Sequence, residues 1–125
     1  MNILNTDQAP AAIGPYSQAV IAGGFLYTSG QIALTPAGEM TRGTAAEEVV
    51  QVFANLDALL AEAGCQRSDV VRVTVYLIDM GEFAAVNEIY AEYFGEHRPA
   101  RACVQVAALP KEARVEIDFV AQASR

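Results

Sequence analysis

Near its C-terminal end the chain carries guanidinium, thiol and carboxylate side chains at spacings that could do chemistry. Arg101, Cys103 and Gln105 alternate with Ala102, Val104 and Val106, and Arg114, Glu116 and Asp118 alternate with Val115, Ile117 and Phe119. Residues two apart on a strand share a face. The pattern predicts two short strands joined by a turn containing Leu109-Pro110, each with an apolar face for a core. The opposite faces carry charged groups that need polar surroundings. A forked cation near a carboxylate is what a small carboxylate-bearing ligand and a proton-transfer step require. The plain alternatives are a surface arginine paired with some acid and an exposed strand carboxylate at Glu116. Cys103 as a nucleophile would need a base, and the one histidine, His97, falls in a loop that nothing brings to it. A Cys/His hydrolase is therefore rejected, and a small buried hydrophobe is the simpler reading of this cysteine.

Periodicity and punctuation give the elements that must hold these residues. The chain up to Pro15 reads as loop. Ser17–Ala22, Gly23-Gly24 and Phe25–Ser29 form a hairpin pattern, because paired glycines supply the positive φ of a tight turn. Ile32–Leu34 reads as a short extended piece. Thr44–Ala63 has helical spacing of Val49, Val52, Phe53, Leu56, Leu59 and Leu60, a Thr44/Glu47 capping box and Gly64 at its end. Val70–Leu77 reads as a central strand covered on both faces, with Arg72 the exception. Asp79 and Glu82 suggest a second capping box, opening a helix lined by Phe83, Val86, Tyr90, Tyr93 and Phe94 and ended by Gly95. The element order is ββ(β)αβαββ over a single domain, 1–125.

Of the 125 residues, 53% are hydrophobic and 18% charged, which is ample for a core and more than a lone small domain needs to bury. Two helices cover only one face of such a sheet, so the other face is expected to meet further copies of the chain. The net charge of −7 and the lack of a basic cluster argue against nucleic acid and anionic lipid as partners. Two cysteines without metal-site or scaffold spacing, no leader-like segment and no membrane-length apolar run suggest a cytoplasmic, soluble protein.

The run Pro99–Ile117 resembles the C-terminal signature of the RidA/YjgF family of enamine/imine deaminases. Ala11–Ala19, Thr28–Ile32, Asn55-Leu56, Asn87–Tyr90 and Tyr93-Phe94 are similar to further family motifs, in family order over nearly the whole chain. The resemblance implies an α+β fold of RidA/chorismate-mutase-like type. That fold has a mixed sheet packed by two helices on one face, assembled as a homotrimer with clefts between subunits. It implies hydrolysis of 2-aminoacrylate-type enamines, through their imines, to 2-keto acids and ammonia, without cofactor or metal.

It also implies roles for single residues. Arg101 would grip the substrate carboxylate, and Glu116 would orient and activate water. Tyr16, Ser29, Gly30, Asn87 and Cys103 would line the pocket. The four residues Gly95–Arg98 make a loop shorter than in some members, and Arg98 is a second guanidinium nearby. Two other classes of function compete: a non-catalytic ligand-binding or chaperone-like trimer, and an RNA-cleaving inhibitor of translation. The second fits poorly with the acidic charge and the absence of a stacking platform.

Overall fold

The computed structural model describes residues 1–123. Strands β1 (Asn2–Leu4), β2 (Ala19–Ala22) and β3 (Phe25–Thr28) precede helix α1 (Ala45–Glu62). Strand β4 (Val70–Leu77), helix α2 (Phe83–Phe94), β5 (Ala100–Gln105) and β6 (Val115–Gln122) follow. All six strands join one sheet in the order β1-β2-β3-β6-β4-β5; only the β4–β5 pair is parallel. The sheet is therefore mixed, and the fold is α+β as expected.

Local signals account for several of these elements. The Thr44 hydroxyl accepts from the Glu47 amide while the Glu47 carboxylate accepts from the Thr44 amide, closing the capping box. At the other end of α1, Gly64 takes a φ of 70°, and the Gly64 and Cys65 amides donate to Ala61 and Leu60 carbonyls in a Schellman arrangement. Gly23 and Gly24, with φ of 59° and 83°, turn the β2–β3 hairpin.

Six expectations are corrected. The N-terminal segment is not all loop, because β1 pairs with β2 through Ile3↔Val20. It supplies the extra strand expected at Ile32–Leu34, where only isolated bridges form at Gln31 and Leu34. Glu82 does not close a box with Asp79. Its carboxylate reaches the α1 N-terminus at the Ala45 amide and ion-pairs with Arg114, tying the start of α1 to the start of β6. β4 is covered on one side only: Val73, Val75 and Leu77 are buried under the helices, while Arg72, Thr74 and Tyr76 face outward. The two C-terminal strands are not neighbours, since β4 lies between them. Nor does β5 bury an apolar face; at the sheet edge its Val104 is 42% exposed.

The core lies between the helices and one sheet face. Val115, Ile117, Phe119 and Ala121 of β6 are fully buried beneath α1 and α2. Phe53 stacks on Tyr93 at 4.0 Å between ring centroids, with Phe94 packed edgewise against both and Tyr90 tilted beside Phe53 and Phe94. The opposite face carries Tyr27, Val104, Phe25 and Ile3, 37% to 57% exposed, on either side of the polar residues of β6 and β4.

Candidate active site

Strand pairing assigns the two principal residues to different faces. Tyr76 pairs with Glu116 and Thr74 with Asp118, so both carboxylates lie on the open face. In the parallel pair, Val73 matches Arg101 and Val75 matches Cys103, so the arginine and thiol lie on the helix face. Within one subunit Arg101 and Glu116 therefore cannot converge. Each instead belongs to its own cavity.

The first cavity, of about 440 Å³, has Glu116 on its wall with Tyr16, Ile13, Gly30, Gln31, Pro110 and Lys111 around it. Its geometry rests on a departure from regular pairing. After β3, the ladder to β6 is continued by the Thr28 hydroxyl, which accepts from the Phe119 amide. The Gln31 and Ile117 amides and carbonyls then exchange hydrogen bonds of 2.8 and 3.1 Å. That brings Gly30 against the Glu116 carboxyl, where a Cβ would lie 2.4 Å from Oε2. Glycine is needed here for close approach. The segment is anchored from below by Asn55, a fully buried asparagine of α1 whose amide donates to the Ile32 and Leu34 carbonyls. Across the cavity, Lys111 and Glu112 take φ of 55° and 57°, and Arg42 donates to the Lys111 carbonyl. Two successive non-glycine residues in this region are a local strain at the cavity lip.

Burial raises the pKa of Glu116, and the charge of Asp118 raises it further. Burial also raises that of Asp118, opposed by hydrogen bonds from Tyr76 and Thr74 and by the charge of Arg72. The Tyr76 hydroxyl donates to Asp118 at 3.1 Å.

The second cavity, of about 500 Å³, is lined by Asn87, Tyr90, Ala91, Arg98, Pro99 and Arg101. Arg101 is exposed. It donates to Asn87 Oδ1 at 2.6 Å and lies over the rings of Tyr90 and Phe83, 4.7 and 5.4 Å from their centroids. One edge of its fork is thus fixed and the remainder faces solvent. Arg98 is turned to the end of α2, donating to the Gly95 and His97 carbonyls. Cys103 is half-buried beside the core, and burial pushes its thiol pKa up, which disfavours a thiolate.

Of the residues singled out in the sequence, Tyr16, Gly30 and Glu116 meet in one cavity and Asn87 and Arg101 in the other. Ser29 serves the loop: its hydroxyl donates to the Ser17 carbonyl at 2.5 Å. Sequence reading passed over Tyr76, Gln31, Asn55 and Lys111 as parts of the site, and noticed Asp118 only as a member of an alternation. A buried asparagine inside a strongly apolar helix was a signal that could have been used for Asn55. Nothing local marks Tyr76. Among the described residues no cluster of histidine, cysteine or carboxylate side chains could hold a metal ion, and no helix is long and apolar enough to cross a membrane.

Residues 6–123 match the family model described as endoribonuclease L-PSP. A RutC family protein of Synechocystis is 55% identical over 124 residues, 97% of this chain and 95% of that protein. The human 2-iminobutanoate/2-iminopropanoate deaminase is 49% identical over 120 residues, 95% of this chain and 88% of that protein. The crystal structure of RidA from an Antarctic Psychrobacter superposes with a TM-score of 0.93 at 43% identity, covering 98% of this chain and 99% of that one.

Proposed function

This chain belongs to the RidA/YjgF family, and from that membership we propose that it is an imine deaminase hydrolysing 2-iminobutanoate- and 2-iminopropanoate-like acids. The proposed products are 2-keto acids and ammonia. The observation that carries the reading is Glu116: a carboxyl of raised pKa, packed on Gly30 in a cavity, in a chain 49% identical to a protein named for this activity.

The chemistry follows from the side chains. An iminium carbon is already electrophilic, so the protein need only hold the acid, place a water and move protons. Glu116 takes a proton from water as its oxygen bonds to the imine carbon, giving a carbinolamine. The protonated Glu116 then returns that proton to the nitrogen; as the C–N bond breaks and the C=O bond forms, the Glu116 carboxylate takes the carbinol hydroxyl proton and passes it to the departing ammonia. Iminium and water become keto acid and ammonium, and the carboxylate is regenerated. Arg101, with Asn87 holding one edge of its fork, presents its free N–H groups to the substrate carboxylate. Tyr16 and Gly30 line the Glu116 side, and Cys103 and Ser29 support the two walls. No metal or organic cofactor enters the scheme.

Arg101 and Glu116 lie on opposite sheet faces, so the complete site requires Arg101 of one subunit beside Glu116 of another. The open apolar face is the proposed contact, and the proposed assembly is a homotrimer with one cleft per subunit pair. Light scattering at micromolar concentration should give three times the subunit mass; a monomer sinks the composite site. The activity is tested by generating enamines in place with a pyridoxal-phosphate serine or threonine dehydratase. The protein should accelerate ammonia release, and an unchanged release rate overturns the deaminase reading.

A further inference from the structure

Glu116 and Asp118 are two residues apart on the open face of β6, both half-buried. Among the described residues neither is ion-paired; the two ion pairs, Arg67–Asp57 and Arg114–Glu82, lie elsewhere. Two carboxyls at this spacing, about 7 Å along a strand, feel one another strongly where water is partly excluded.

Their surroundings are unequal. Asp118 receives the Tyr76 hydroxyl at 3.1 Å and a hydrogen bond from Thr74, with Arg72 further along the same face. Glu116 faces Tyr76 from β4, which directs its hydroxyl to Asp118, and Asp118 from its own strand. From the Gly30–Gln31 segment it meets no titratable group. From the N-terminal loop and the Pro110–Glu112 turn, Tyr16 and Lys111 share its cavity. No protein donor among the described residues hydrogen-bonds Glu116. Asp118 is therefore the member of the pair equipped to stay charged, and Glu116 the member that takes the proton.

We propose that Asp118, held by Tyr76, is a positioning residue for the reaction proton: its charge keeps Glu116 a strong enough base to take a proton from water. This rests on the deaminase reading for its kinetic consequence, though not for the coupling itself. The pair should titrate in two linked steps rather than as two independent acids.

The test compares wild type, Asp118→Asn and Asp118→Glu, all as the assembled protein. One readout is the pH profile of imine hydrolysis. The other is the titration of the Glu116 carboxyl carbon by NMR, which needs no activity. For Asp118→Asn the acid limb and the Glu116 titration should both move to lower pH, and kcat should fall by up to about tenfold with KM unchanged. Asp118→Glu should restore both, because it keeps the charge. A purely structural Asp118 would alter thermal stability or KM and leave the limb in place, which overturns the proposal. An unmoved Glu116 titration in Asp118→Asn also overturns it. Should the Asn variant not assemble, Tyr76→Phe serves instead: without its hydroxyl donor, Asp118 should titrate at higher pH, and no movement refutes the pairing. A titration that moves in a protein without deaminase activity separates failure of the functional reading from failure of this one.

Discussion

The Glu116 cavity stands on a central strand, and the Arg101 cavity on an edge strand. Glu116 has β4 on one side and the Gln31 bridge on the other, a glycine pressed on its carboxyl, and supports that run through Asn55 to α1. The Glu82–Arg114 pair, Arg114 being two residues before Glu116, ties the same strand to the α1 N-terminus. Arg101 has β4 on one side only. Its guanidinium is exposed, held by one hydrogen bond and two ring faces. The group assigned to proton transfer is thus fixed in a partly dry wall. The group assigned to gripping the ligand is exposed, with part of its fork open to solvent. Proton transfer needs a set position and a tuned pKa, whereas a bidentate clamp needs only to close.

The contrast breaks first at Glu116. Glu116→Gln should lower kcat by ~10²–10⁴-fold with little change in KM, as loss of a general acid–base group does. The same variant should be more stable at neutral pH. A carboxyl whose folded pKa is raised binds more protons folded than unfolded, so stability falls as pH rises from the ordinary carboxylate range through the folded pKa. Replacing it removes that loss, so Tm should rise at neutral pH and not well below the carboxylate range. A glutamine variant that is fully active, or less stable at neutral pH, ends the comparison.

Arg101→Ala should act differently, lowering kcat/KM at least ~30-fold, mainly through KM, since a charged hydrogen bond contributes about 2 kcal/mol. Arg101→Lys should be nearly as poor, because a point charge cannot hold both carboxylate oxygens. Steady-state kinetics of the two variants decide it, and a pure kcat defect would move Arg101 out of the clamp role. Co-assembled Arg101→Ala and Glu116→Gln subunits sharpen this further. Each is impaired alone, and at subsaturating substrate mixing should restore full efficiency to about a quarter of the sites, each taking Arg101 from one subunit and Glu116 from another. No recovery on mixing contradicts the two-subunit cleft.

Gly30→Ala should cost roughly tenfold in kcat with a smaller change in KM, because the new Cβ, 2.4 Å from Oε2, displaces the carboxylate without touching Arg101. An alanine variant with wild-type kcat would show that the Glu116 position is not critical. The smallest effect belongs to Cys103→Ser. The thiol is held away from the thiolate form, and the variant should keep activity within about threefold. A dead serine variant with active Glu116→Gln would reverse the roles.

Much of this fold was legible in the chain because its signals are local. A capping box, a Gly-Gly turn and a C-terminal glycine each act within about five residues, and the helical stripe of α1 and the alternation of β6 need only a window of ten or so. The same alternation correctly grouped Arg101 with Cys103 and Glu116 with Asp118. It could not say that the two groups face opposite ways. That depends on β4 entering between β5 and β6 with one strand parallel and the other antiparallel, a pairing between segments tens of residues apart that leaves no mark in either. The same insertion made Tyr76 a neighbour of both carboxylates and left one face of β4 uncovered. The sequence by itself determined the elements, their order and the residue types that could do chemistry, because those follow from backbone propensity and side-chain periodicity. Only tertiary structure decided which carboxylates are desolvated and that Arg101 and Glu116 face opposite sides of the sheet, because burial and strand register are properties of contacts across the chain.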